Sequence, residues 1–171
     1  MDNPSAPPGK AEKYARVERE RRWLLHDPPD PEAATAEVEI TDIYFEGTRL
    51  RLRRMVDRRG RRPTVYKLAQ KVPTTSAGAA TLTTNTYLSE SEYDLLSQLE
   101  GHRLQKVRFS VPPFGIDVFL PPLDGLVLAE AEYDSDRAMA DGPPPPNAIA
   151  EVTGDVRYTG GHLAKHGLDS G

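Results

Sequence analysis

The chain has 171 residues, 28% of them charged, a formal net charge of −4 and no cysteine. One domain with a sizeable core fits that length; disulfides and thiolate metal sites are excluded, and the charge balance draws the chain toward neither nucleic acid nor an anionic membrane. The opening MDNPSAPPGK lacks the apolar segment of a secretory signal, and no apolar run reaches about 18 residues, so a cytoplasmic protein without membrane or nucleic-acid partners is expected.

Residues 1–13 are small, polar and aperiodic, which predicts a disordered tail ahead of one domain over 14–171. VERERRWLL (17–25) alternates with period two, placing Glu18, Glu20 and Arg22 on one strand face and Val17, Arg19, Arg21, Trp23 and Leu25 on the other. A half-buried strand ordinarily carries charge on one face; this one carries it on both near its start. DPPDPEAA (27–34) is a stiff connection. Strand-like runs at 37–47 and 48–55 flank a Gly-containing turn, and runs at 62–72 and 80–88 are divided by PTTSAG. Ser89 and Glu92 have capping-box spacing, with Leu88 and Tyr93 as the staple. A helix is therefore expected there, with Leu95, Leu96 and Leu99 on its apolar face and Gly101 as its stop. Strands resume at 102–111, 115–120 and 125–134. A proline joint (143–146) precedes a last strand-like run at 148–158, and GGHLAKHGL predicts one short helix. Without a strand–helix–strand rhythm, the reading is an antiparallel, strand-dominated α+β protein.

Several strands carry alternating charge. Arg49, Arg51 and Arg53 alternate with Leu50 and Leu52; Lys106 and Arg108 flank Val107; Glu130 and Glu132 flank Ala131. Curled into a barrel with those faces inward, the sheet encloses a tunnel lined by acids and bases. Buried charges need partners. E-x-E carboxylates suit a hard cation such as Mg2+ or Mn2+, and arginine and lysine suit phosphate oxygens. Phosphoryl transfer, which demands positioning and charge neutralisation, fits both halves of the lining.

Blander readings compete with each signal. E-x-E occurs four times, and the pairs at 90/92 and 37/39 read as a helix cap and a solvated face. Of the eight arginines in 49–62, Arg58, Arg59, Arg61 and Arg62 flank Gly60 in a hairpin loop and read as surface. His162 and His166 are four residues apart with no third ligand pattern, so zinc is not expected.

Seven elements in order resemble the CYTH superfamily, the triphosphate tunnel metalloenzymes. Glu18-Arg19-Glu20-Arg21-Arg22 stands where that family has E-x-E-x-K. Arg51-Leu52-Arg53 resembles its R-x-R, with Arg49-Leu50-Arg51 as a competing register, and Thr64 to Lys67 resembles its T-x-K. Lys106 to Arg108, Asp117 to Phe119, Glu130 to Glu132 and Glu151 to Tyr158 resemble K-x-R, D-V-F, E-x-E and E-V-T-x-D-x-R-Y. The resemblance implies an eight-stranded antiparallel β-barrel with a few flanking helices, one or two divalent metals, and hydrolysis or cyclisation of a triphosphate.

By the same resemblance Glu18, Glu20, Glu130, Glu132 and Asp117 are metal-side residues, and Arg51, Arg53, Lys67, Lys106, Arg108 and Arg157 hold phosphates. Glu18, Glu20 and Arg22 form the catalytic strand, with Arg22 expected as a positive contact rather than a proton carrier, because arginine stays charged. The chain departs from the family at Arg22, at Gly115, where many relatives carry an acid, and at Thr159-Gly160-Gly161, where an asparagine-containing turn is common. Phosphate binding is therefore better supported than turnover. The expected function is a Mg2+- or Mn2+-dependent triphosphatase acting on tripolyphosphate. A class IV adenylate cyclase and a weakly catalytic polyphosphate or nucleotide binder are the alternatives, and a homodimer stays open.

Overall fold

A computed structural model describes residues 13–73 and 80–168. Eight strands form its frame: β1 (Arg16–Leu25), β2 (Ala36–Phe45), β3 (Leu50–Asp57), β4 (Val65–Pro73), β5 (Ala80–Leu88), β6 (Gly101–Val111), β7 (Phe114–Phe119) and β8 (Val127–Tyr133). They pair in the order β5-β4-β3-β2-β6-β7-β8-β1, every pair antiparallel. β1 closes the ring by meeting β5, with Arg16 opposite Thr83 and Arg19 opposite Ala80. Farther along that same edge a short β9 (Ala148–Glu151) lies along Trp23 to Leu25, while on the other edge Arg19 to Leu24 pair with β8. Three helices complete the fold: α1 (Glu90–Leu96), α2 (Asp136–Asp141) and α3 (Gly160–His166). The α+β class and the eight-stranded antiparallel barrel are as the sequence led us to expect. Among the described residues no helix is long and apolar enough to cross a membrane.

Period-two alternation gives each strand an outward and an inward face. Outward apolar residues are covered from two sides. Ile43, Phe45 and Leu52 pack under Tyr93 of α1, while Trp23, Val107, Phe109, Ile116 and Ala129 pack with Ala34 from the connection after β1. The inward faces change character along the barrel. Leu24, Tyr44, Leu104, Phe119 and Leu128 each lie two residues from a charged inward residue (Arg22, Asp42, Lys106, Asp117 and Glu130). Together with Val152 they form an apolar cluster with Leu163 of α3. The helix plugs one end of the tunnel, and the charged zone lies on the other side of that plug.

Four expectations need correction. Helix α1 is capped as expected: the Ser89 hydroxyl accepts the Glu92 N–H, and the Glu92 carboxylate accepts the Ser89 N–H. Yet it buries Tyr93 and part of Leu96, leaving Leu95 69% and Leu99 56% exposed. It also ends at Leu96 rather than Gly101, which opens β6 instead. A Cβ on Gly101 would stand 2.8 Å from the Tyr44 carbonyl oxygen, so the glycine serves the close approach of β2 and β6. The run 148–158 is a strand only to Glu151; Gly154, at φ +77°, turns the chain into a 3-10 turn over Val156–Tyr158. Helix α2 was not expected, although Ser135 caps it by accepting the Ala138 N–H. The predicted tail falls almost wholly, and the PTTSAG loop mostly, outside the described residues.

The glycines of Thr159-Gly160-Gly161 have a packing reason. A Cβ on Gly160 would lie 2.0 Å from the Tyr44 hydroxyl oxygen and 2.9 Å from its ring carbon Cζ. Helix α3 can therefore seat on Tyr44 only without a side chain there. Gly160→Ala is expected to lower stability by about 1–3 kcal/mol through overpacking. Adding Tyr44→Phe removes the closest clashing atom and should recover part of the loss, as urea unfolding of the single and double variants will show.

Candidate active site

The charged zone of the tunnel is organised around two deeply buried aspartates. Asp42 of β2 faces Arg53 of β3 across the ladder, and its two oxygens accept the Arg53 Nε–H and Nη2–H at 2.6 and 2.7 Å. Burial alone would raise the Asp42 pKa, but the paired guanidinium outweighs it and holds the carboxyl at about 2. Asp117 of β7 faces Arg108 of β6 and takes it in the same two-pronged way, at 2.6 and 2.7 Å, while also accepting the Lys106 ammonium. Each aspartate thus aims long cationic side chains into the lumen, at fixed rotamers that those side chains would not hold alone.

Acids crowd the wall made by β1 and β8. Arg22 is opposite Glu130 in the ladder and Glu20 is opposite Glu132. The Arg22 guanidinium lies between Glu20 and Glu130, donating from Nη2 to Glu20 at 2.5 Å and from Nε to Glu130 at 3.0 Å. Its remaining nitrogen, Nη1, donates to the Tyr158 carbonyl at 3.0 Å. Arg108 also reaches Glu130. Burial pushes Glu20 up and the Glu130 charge pushes it further, so its carboxyl sits above the ordinary range. Burial opposes ionisation of Glu130 too, but Arg108 and Arg22 hold it well below that range. Glu20, Glu130 and Glu132, with Arg108, Pro113 and Gly115, line a cavity of ≈ 250 Å³ at this end of the tunnel. A Cβ on Gly115 would touch the Arg108 stem at 3.4 Å, so the missing side chain leaves that stem room beside the cavity.

The opposite wall, β3 and β4, carries cations, of which Arg53 and Lys71 reach acids on the neighbouring strands β2 and β1. Arg51 is buried, its Nε has no hydrogen-bond partner among the described residues, and the nearer Asp42 oxygen is 3.8 Å away. Lys67 makes no ion pair among the described residues; burial and then the charges of Arg53 and Arg51 push its pKa down to about 8. Lys71 is engaged with Glu18 at 3.1 Å, and that contact outweighs burial to lower the Glu18 pKa. One wall therefore lacks anions and the other crowds them.

No family model matches the chain, and no curated protein matches it. Solved structures do match. The crystal structure of the inorganic triphosphatase NE1496 is 26% identical with a TM-score of 0.55, over 86% of this chain and 93% of that one. A second crystal structure, of the hypothetical protein NE1496, agrees at the same identity and TM-score and is covered to 97%. The chain has the CYTH fold.

The CYTH tunnel brings together Glu18, Glu20, Arg22, Arg51, Arg53, Lys67, Lys106, Arg108, Asp117 and Glu130. Arg51 and Arg53 are the buried pair of β3, and Arg49 precedes that strand. Two of the expected residues lie apart. Glu132 stands at the rim, its side chain 58% exposed and 3.7 Å from Arg16. Arg157 sits on the 3-10 turn, its side chain 60% exposed and its guanidinium on Asp155. Asp117 is placed as the partner of Lys106 and Arg108 rather than among the crowded glutamates.

Asp42 and Lys71 were not singled out from the sequence. A signal existed for each: Asp42 is the lone charge in the run ITDIYF, and Lys71 shares a strand face with Lys67. The His162 and His166 rings lie 4.6 Å apart, and among the described residues no three potential ligands gather into a metal site. The glutamates of the β1–β8 wall are oxygen donors of the kind a hard divalent cation takes. The repulsion between Glu20 and Glu130 is what such a cation would relieve, and the Arg22 guanidinium now lies between them.

Proposed function

We propose that the chain is a divalent-metal-dependent triphosphatase that takes inorganic tripolyphosphate, or a related small triphosphate, into the tunnel. One observation carries this reading: buried Arg51 and half-buried Lys67, neither hydrogen-bonded to an acid among the described residues, face a wall of crowded glutamates. A polyanion and a divalent cation together would neutralise both sides. The likeness to a protein named as an inorganic triphosphatase supports the same reading. Arg51 and Lys67 bind phosphate oxygens, while Asp42 and Asp117 orient Arg53, Lys106 and Arg108 along the chain of phosphates. Glu20 and Glu130, with Glu132 at the rim, are the residues that would hold Mg2+ or Mn2+. Such an ion supplies charge neutralisation and Lewis acidity toward phosphate. The α3 plug makes the glutamate-lined end the entrance and keeps water from following the substrate from behind.

Purified protein incubated with Mg2+ or Mn2+ and, separately, tripolyphosphate, ATP and thiamine triphosphate tests the proposal. Phosphate release, fastest from tripolyphosphate, is the expected result; cyclic AMP from ATP would replace the reading with a cyclase. A binder with little turnover is the second reading, favoured by one contact: the protein's own Arg22 bridges Glu20 and Glu130.

The phosphate role of Lys67 has a pH signature. Its pKa of about 8 means that the free protein loses this charge as pH rises through that value. Bound phosphate favours the charged amine, so triphosphate affinity should fall above pH 8, by up to about tenfold per pH unit. Lys67→Arg stays charged and should abolish the decline, and it also controls for ionisation of the ligand. Titration calorimetry between pH 7 and about 9.5 checks both proteins; parallel pH profiles would remove Lys67 from the site.

A further inference from the structure

We propose that Arg22 is a tethered competitor for the divalent cation: its guanidinium occupies the space between Glu20 and Glu130 that a metal needs, and metal binding must displace it. The inference rests on the metal-dependent reading above, which takes those two glutamates as ligands. It starts from how completely the side chain is used. Nη2 is given to Glu20 at 2.5 Å, Nε to Glu130 at 3.0 Å and Nη1 to the Tyr158 carbonyl at 3.0 Å. The backbone is held as firmly: the Arg22 N–H donates to the Thr153 hydroxyl at 2.9 Å, and the Arg22 carbonyl accepts the Val152 N–H at 2.8 Å. The segment after β9 therefore fixes the arginine from both its main chain and its tip.

Chemistry makes this occupant hard to remove. A guanidinium is planar, offers its N–H groups in a fixed fork, and stays protonated at any working pH. An ammonium in its place is a compact point charge that can lose its proton when its surroundings disfavour the charge, and so can withdraw. Arg22 cannot vacate by deprotonation; it must swing away and forfeit its three contacts. The incoming metal gains two carboxylates already brought together, yet pays for separating each from a charge-assisted hydrogen bond. The site is thus assembled and blocked by the same side chain.

The affinity for metal should rise when the blocker is shortened or discharged. Arg22→Met keeps an unbranched stem without the charge and leaves Glu20 and Glu130 facing each other. We expect it to bind Mn2+ at least tenfold more tightly than the natural protein, measured by calorimetry and by electron paramagnetic resonance of free Mn2+, without triphosphate. Adding Glu20→Gln to Arg22→Met should erase the gain. If the natural protein binds Mn2+ and Arg22→Met binds it no better, the competitor role is overturned while the metal-dependent reading stands. If neither protein binds Mn2+, that reading falls and takes the inference with it. Should Arg22→Met fail to fold, the natural protein decides. Its Arg22 Nε–H resonance should shift or exchange faster as Mg2+ saturates the site, and a resonance that stays put overturns the proposal.

Discussion

Asp42→Asn is expected to cost about 3–5 kcal/mol of stability at neutral pH, the loss typical of breaking a buried ion pair from one side. Asparagine keeps the shape of the side chain but offers Arg53 one neutral oxygen in place of two charged ones. Arg53 is itself buried, with Arg51 and Lys67 close by, so its uncompensated charge would sit among like charges. The sign with pH follows from the low pKa. Asp42 is held at about 2, below its ordinary 3.8, so its contribution is complete above about pH 4 and is lost as pH falls through 2. Urea unfolding of the natural protein and Asp42→Asn should therefore differ most near neutrality, and the gap should narrow toward pH 2. Adding Arg53→Met should restore much of the stability of Asp42→Asn, because the stranded charge goes with it. A gap independent of pH would assign the loss to packing instead.

The strands were legible because period-two alternation is a property of single strands, and nine such runs without crossover helices imply an antiparallel sheet; that eight of them close into a barrel was what the family resemblance implied. The capping box was legible because its hydrogen bonds span only Ser89 to Glu92. What alternation does not carry is termination. AIAEVTGDVRY keeps its rhythm past Glu151, but the left-handed backbone at Gly154 ends the strand. Nor did leucine spacing find the buried face of α1. A helix of seven residues makes two turns, and the side chain that the outer wall needed was Tyr93, packed on Tyr66 with ring centroids 4.9 Å apart. Of the three leucines that looked like a stripe, Leu95 and Leu99 are exposed instead, and only Leu96 packs in part against the wall.

In the tunnel, alternation exposed the charged faces but not the partnerships across strands. Arg51 and Arg53 read as equivalent in RLRLRR, two residues apart on one face. Register separates them: Arg53 falls opposite Asp42, whereas Arg51 falls opposite Tyr44. Arg108 is likewise committed to Asp117 by the β6–β7 register. Arg157 looked like a member of the set because motif order says nothing of direction, and the 3-10 turn gives it to Asp155, two residues away. The acids consumed as internal partners and the cations left over are thus properties of pairing, which spacing along one chain does not encode.

That distinction sets the last prediction, which concerns which arginine binds phosphate most directly. Arg51→Met should weaken tripolyphosphate binding by about 1.5–3 kcal/mol, the value of a hydrogen bond to a charged group, or roughly tenfold to a hundredfold. Its stability should hold or rise, because the change removes a buried charge whose Nε has no hydrogen-bond partner among the described residues and only a 3.8 Å approach to Asp42. Arg53→Met should lose both binding and stability, since it strands Asp42 as well. Arg61→Ala, at an exposed position in the β3–β4 turn, should change neither. Calorimetric titration with tripolyphosphate and urea unfolding of the three variants separate these patterns. Opposite effects of Arg51→Met on binding and stability are the mark of a cation held in the fold for a ligand's sake. If Arg51→Met instead unfolds readily and still binds tripolyphosphate, Arg51 is a structural charge and the phosphate wall lies elsewhere.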